Sequence, residues 1–165
     1  MKTILLIRHA KSSWENFAVT DEERPLNERG KKNAPEMAKR LRKKKIAIDV
    51  LMSSPAKRAL STANYFAQEF DIAKKDIIVV PELYLATTDA FINAIQSAPS
   101  TASTIALFSH NNGITDFANS LTDARIDNMP TCGVFAVHCA IDEWPAFEAG
   151  GHKFYFFDYP KNISG

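Results

Sequence analysis

The sequence has little excess charge, few cysteines, no long apolar run and no low-complexity tract, and each shortage removes a class of function. The net charge is +1, from 20 Lys+Arg against 19 Asp+Glu, so no bulk field draws the chain to nucleic acid or to a membrane surface. No apolar stretch approaches the roughly 20 residues of a membrane span. The N-terminus offers only Lys2 before a short apolar run that enters Arg8-His9, with no small-residue cleavage site, and does not read as a signal peptide. Cysteine is limited to Cys132 and Cys139. If both lie in one strand, their odd spacing turns them to opposite faces, which argues against a mutual disulfide and for a reducing, cytoplasmic setting. With no repeat and no Pro/Ser/Gly linker, 165 residues of 45% hydrophobic content read as a single domain, 1–165, with a sizeable core.

What is there is an alternation of short apolar runs and helical patterns. Thr3–Ile7, Asp49–Ser53, Ile77–Val80 and Thr104–Ser109 are β-branched or leucine-rich, as buried parallel strands are. Helices are predicted over Asn27–Lys44, Pro55–Phe70, Asp89–Ala98 and Thr115–Ser120. The second has an apolar face of Ala59, Leu60, Ala63, Phe66, Ala67 and Phe70, with Ser54 as N-cap and Pro55 at the first helical position. Pro35, inside the first helix, predicts a kink or break. Val134–Cys139 and Lys153–Tyr159 read as a hairpin-like pair across Asp142–Gly151. The fold class is α/β: a three-layer α/β/α sandwich with a mixed, mostly parallel sheet.

Two of the strands end in a histidine. The run "ILLIRHAKSSW" closes on Arg8 and His9, and "TIALFSHNNG" closes on His110. In open α/β sheets, ligands bind outside the carboxyl ends of the strands, and the notable polar residues all fall there. Arg8 and His9 follow the first strand, Ser53 and Ser54 the second, Glu82 the third, and Ser109 and His110 the fourth. Arg58 sits near the start of the second helix, where a cation opposes the helix macrodipole unless an anion lies between them. Free N–H groups at the same helix start also suit phosphate. Arg8, Arg58 and this helix start together predict a phosphoryl site, with His9 as a nucleophile that forms phosphohistidine. Two neighbouring guanidiniums are expected to disfavour the protonated imidazole.

The stretches "IRHAKSSW", "RPLNERG", "SSPAKRALSTA", "PELY" and "SHNNG" occur in the order found in the histidine phosphatase superfamily, which the sequence therefore resembles over its first two thirds. This is the phosphoglycerate mutase-like fold. Arg-His-Ala-Lys-Ser in a short chain looks most like the SixA-type phosphohistidine phosphatases. The resemblance implies His9 as nucleophile, with Arg8, Arg58 and His110 binding the phosphate and Glu82 at the position of the superfamily's usual acid. No cofactor is expected. Ala10 and Ser109 stand where the superfamily has glycine, and Asn112 where it has proline. Ala10 suggests that the turn after His9 needs no positive φ.

The expected activity is a metal-independent phosphatase working through phospho-His9 on a protein-borne phosphohistidine, such as a histidine phosphotransfer-type domain. The rivals are a phosphatase for small phosphate monoesters and a non-catalytic phosphohistidine-binding module. A metal held by His9, His110 and a carboxylate would use the same side chains, but no spacing such as H-x-x-x-H supports it. The interval between Arg58 and Glu82 leaves no room for an inserted lid, and an open site suits a phosphorylated side chain on another protein. His138 and His152 read as structural. Arg42-Lys43-Lys44-Lys45 reads as a solvated helix end, with a partner's acidic patch as its alternative use.

Overall fold

The computed structural model describes residues 1–162. Its six strands are β1 (Lys2–Arg8), β2 (Val50–Ser53), β3 (Ile78–Val79), β4 (Thr104–Ser109), β5 (Val134–Cys139) and β6 (His152–Asp158). The four α-helices are α1 (Glu28–Lys43), α2 (Lys57–Glu69), α3 (Thr88–Gln96) and α4 (Gly113–Leu121). One sheet holds all the strands in the order β3-β2-β4-β1-β5-β6. The pairings β1–β4, β2–β4 and β2–β3 are parallel; β1–β5 and β5–β6 are antiparallel, so the sheet is mixed as expected. Between α2 and Pro81 the chain makes only a 3-10 turn (Lys74–Asp76) and β3, so no lid is inserted there.

Strand alternation builds the three layers. Ile4 and Leu6 of β1 face one core with Phe91 of α3, Phe117 of α4 and Trp144. Leu5 and Ile7 face the other with Met37 and Leu41 of α1 and Phe66 of α2. All four β1 residues are fully buried, because β1 has strand neighbours on both edges and helices on both faces. Among the described residues no helix is long and apolar enough to cross a membrane.

Several boundaries differ from expectation for identifiable reasons. Helix α2 starts at Lys57 with Ala56 as N-cap, two residues after Pro55. Ser54 Oγ accepts from the Ala56 N–H (3.1 Å) in a local turn and bonds His110, so this serine belongs to the strand end, not to the helix. Helix α1 is continuous through Pro35. Ala34, Met37, Ala38 and Leu41 are buried on both sides of it, and that packing outweighs the backbone bond proline removes, a loss of about 3 kcal/mol. Only Cys139 lies in β5. Cys132 precedes the strand at φ 59°, and both thiols are buried and free. Burial pushes both up to about 12.

The basic run is also only partly a solvated end. Lys44 Nζ bonds the buried Asp158 (3.2 Å), which Arg40 also pairs (3.2 Å), so a cation of α1 and one at its C-cap fasten the end of β6. His138 bonds Thr3 Oγ1 (3.0 Å) and stacks on Tyr155, and His152 bonds the Phe147 carbonyl (2.8 Å), so both have local structural partners.

The segment between β1 and α1 is closed at its base. Ser12 bridges Leu26, Ser13 N donates to Pro25 O (2.8 Å), and Asn27 N donates to Lys11 O (2.9 Å). Helix α1 crosses this base at Gly30, where an added Cβ would lie 2.2 Å from the Lys11 carbonyl oxygen. Gly30→Ala is therefore expected to destabilise the protein by roughly 1–3 kcal/mol despite alanine's better helix propensity. Urea unfolding checks this against Lys32→Ala, at an exposed position of the same helix, which should have little effect. A Gly30→Ala variant as stable as the parent would show that the base of the loop yields.

Candidate active site

Parallel pairing brings the two histidines together. In the β1–β4 register Arg8 lies opposite Ser109, so the next residue of each strand, His9 and His110, emerges at the same edge. His9 N donates to Ser109 O (3.2 Å), and the two imidazole centroids are 5.0 Å apart. Both rings are more than nine-tenths buried.

Each imidazole has one nitrogen occupied. His9 Nδ1 is 2.7 Å from the Ala10 carbonyl, which can only accept, so Nδ1 carries the proton and Nε2 keeps its lone pair. Ala10 is held in turn by Thr62: Ala10 N donates to Thr62 Oγ1 (3.0 Å), which donates to Arg58 O (2.8 Å). Ala10 is not among the positive-φ residues, as its replacement of glycine implied. His110 Nε2 is 2.7 Å from Ser54 Oγ. That hydroxyl oxygen already accepts from Ala56 N, so its hydrogen is available to His110 Nε2, which assigns the His110 proton to Nδ1.

The arginines complete the cluster. Arg8 Nη1 donates to Met129 O (2.7 Å). Arg58, from the first turn of α2, donates through Nη1 to Asp21 O (2.6 Å) and through Nη2 to Asp21 Oδ2 (3.0 Å). The anion that its helix position demands is thus supplied by the protein itself. Asp21, at the start of a 3-10 turn (Asp21–Glu23), also accepts from Arg24 Nε (3.1 Å) and from the Tyr84 hydroxyl. The Tyr84 and His110 rings meet nearly at right angles, their centroids 5.5 Å apart. Among the described residues, the buried side-chain N or O atoms with no hydrogen-bond partner are three: Arg8 Nε, Arg58 Nε and His110 Nδ1.

Burial sets the charge states. It lowers His9 to about 3, with smaller contributions from His110, Arg58 and Arg8, so the expected effect of the guanidiniums is real but secondary. Burial, followed by Arg58, lowers His110 to about 4. The Tyr84 hydroxyl bond and the neighbouring arginines hold Asp21 far below the ordinary carboxylate range, and the Tyr84 phenol rises in response.

Four of the five residues singled out in the sequence, Arg8, His9, Arg58 and His110, therefore meet at one place. Glu82 is not hydrogen-bonded to any of the four. It is exposed in the 3-10 turn Pro81–Leu83 and has no side-chain hydrogen bond or ion pair among the described residues, while the next carbonyl, Leu83 O, accepts from Ser109 Oγ (2.6 Å). Asp21, Thr62 and Tyr84 were missed, and so was the bond of Ser54 to His110. A helix-start arginine calls for a counter-ion, and the acidic run Asp21–Glu23 before Arg24 was the available signal.

Comparison with known proteins agrees with this geometry. A family model described as the histidine phosphatase superfamily (branch 1) matches residues 4–84, from β1 through Tyr84. An uncharacterized chloroplastic protein of Arabidopsis thaliana is 28% identical over 159 residues, covering 91% of this chain and 72% of that protein. A structure from Agrobacterium tumefaciens given the provisional name phosphohistidine phosphatase SixA shares the fold, with TM-score 0.78 and 24% identity over 96% of this chain and 98% of that one. Another, the protein histidine phosphatase SixA complexed with tungstate, shares it with TM-score 0.82 and 21% identity over 98% and 99% of the two chains. The segment matched by the histidine phosphatase superfamily model holds His9 with both arginines, and the fold shared with these structures brings His110 beside them, so the chain is similar to that superfamily both in its first half and in its fold.

Proposed function

We propose that this protein is a phosphatase that removes the phosphoryl group from phosphohistidine borne on a protein, through a covalent phospho-His9 intermediate. One observation carries the reading: the partnerless buried nitrogens described above belong to the three residues expected to hold phosphate. Their N–H groups suit phosphoryl oxygens, and donors fixed in a buried site stabilise developing charge with little reorganisation. The relatives of the same fold that carry phosphohistidine phosphatase names support the choice of substrate.

In the proposed reaction the His9 Nε2 lone pair attacks phosphorus in line with the leaving group. The bond from phosphorus to the leaving nitrogen breaks as the new P–N bond forms, and the departing imidazole takes a proton from solvent. Water then attacks the phospho-His9 phosphorus, inorganic phosphate leaves, and Nε2 regains its lone pair. Arg8 and Arg58 neutralise charge on the phosphoryl oxygens, and neutral His110 donates through Nδ1. The Nδ1 bond to Ala10 keeps His9 in the reactive tautomer throughout.

Brief exposure to a phosphoryl-labelled substrate with an alkaline quench should leave label on His9, and His9→Ala should abolish turnover. Label on another residue, or full activity in His9→Ala, would overturn the mechanism; binding without turnover in the parent would identify a binding module. Glu82 tests the substrate class. An alkoxide leaving group needs a positioned acid, whereas imidazole is a better leaving group that solvent can protonate. Glu82→Gln should leave phosphohistidine hydrolysis nearly unchanged and lower hydrolysis of an alkyl phosphate by roughly a hundredfold, the scale of general acid catalysis. Equal loss on both would assign Glu82 a supporting role.

The buried neutral histidines also predict the acid limb of stability. Between about pH 6.5 and their folded values of about 3 and about 4, the unfolded chain holds protons that the folded chain excludes. Stability is thus present above pH 6.5 and lost as pH falls, by up to about 1.4 kcal/mol per pH unit for each histidine. Urea unfolding as a function of pH should show a shallower decline over pH 4–6 for His110→Gln than for the parent.

A further inference from the structure

Large hydrophobic side chains left in solvent are concentrated at one edge of the active site. Among the described residues, apart from the terminal Met1, the three most exposed are Phe17 (95%), Leu85 (83%) and Trp14 (66%). Trp14 and Phe17 lie on the closed-base loop between β1 and α1, and Leu85 follows Tyr84. Both segments are tied to Asp21. The Trp14 ring lies 3.4 Å from the Arg24 guanidinium carbon, and Arg24 pairs with Asp21, which holds Arg58. On the other side, the Tyr84 hydroxyl bonds the same carboxylate, while its ring meets that of His110 nearly at right angles.

We propose that Trp14, Phe17 and Leu85 form a docking rim for a phosphorylated polypeptide whose side chains next to the phosphorylated residue are apolar. This rests on the phosphatase reading above only in placing the phosphoryl group between Arg8, Arg58 and His110. A group held there brings its carrier over the rim. A sugar or nucleotide can stack on the aromatic rings but brings no apolar side chain to cover Leu85 as well, whereas leucine or phenylalanine on a protein surface removes apolar area from water on both partners. The rim is also pre-shaped. Glu15 N donates to Ser13 Oγ (3.1 Å) and Ala18 N to Asn16 Oδ1 (2.9 Å), so local turns present Phe17, and less ordering is needed on binding.

The test uses the full chain and two peptides carrying a non-hydrolysable phosphonate analogue of phosphohistidine. One has leucine and phenylalanine beside the analogue, the other serine and glycine. The parent should bind the apolar peptide roughly tenfold or more tightly, the scale expected for central apolar anchors. Phe17→Ser/Leu85→Ser should lose that preference while its affinity for inorganic phosphate and its thermal unfolding stay unchanged. Equal binding of both peptides by the parent, or an undiminished preference in the double variant, would overturn the rim. So would a concentration-dependent dimer in sedimentation that the double variant abolishes, since the rim would then be covered by a second copy. A parent that prefers the apolar peptide yet acquires no phosphoryl label on His9 would keep the docking rim and lose the catalytic reading.

Discussion

The parallel pairing of β1 with β4 is the constraint on which everything else rests. Parallel strands end at the same edge of a sheet, so the register that opposes Arg8 to Ser109 also sets His9 beside His110. A slip of β1 by one residue would turn His9 to the opposite face of the sheet from His110. The apolar alternation of β1 into two separate cores prevents such a slip, because Ile4 and Leu6 would exchange places with Leu5 and Ile7. The chemistry is therefore held by the same packing that holds the fold.

The elements were legible in the sequence where periodicity and burial say the same thing. Strands β1 and β4 are apolar through their centres and were read to within a residue or two, and the histidines at the sheet edge followed from them. What escaped were individual bonds whose partners are distant in sequence, and the packing that overrides a local signal. Ser54 and Pro55 have the form of a helix start, but the serine hydroxyl is engaged by His110, 56 residues away. Pro35 reads as a breaker, yet the buried face around it decides the outcome. Asp21 looked like one acid in a charged run, and only folding reveals that it accepts from Arg58, Arg24 and Tyr84 together.

Burial and charge divide the work at the site. Burial keeps both imidazoles neutral, and hydrogen bonds to Ala10 and Ser54 then determine which nitrogen of each ring carries the proton. A protonated His9 would have no lone pair to offer. The guanidinium of Arg58 is buried while Asp21 is about half exposed, so the pair is fixed from the protein side and screened from the solvent side. Such a carboxylate orients the arginine without cancelling its charge as a fully buried partner would.

The loop closed by Ser12 and Leu26 separates what the enzyme does from what it meets. Both its ends are fastened to the scaffold, and closing a somewhat longer loop between fixed ends costs little entropy. Between those fastenings the chain is a cassette, whose residues can change while His9, just past the end of the strand before it, keeps its place. Asp21 is the exception, because it rides on the cassette and reaches back to Arg58, so a wholesale replacement must bring its own acid at that place.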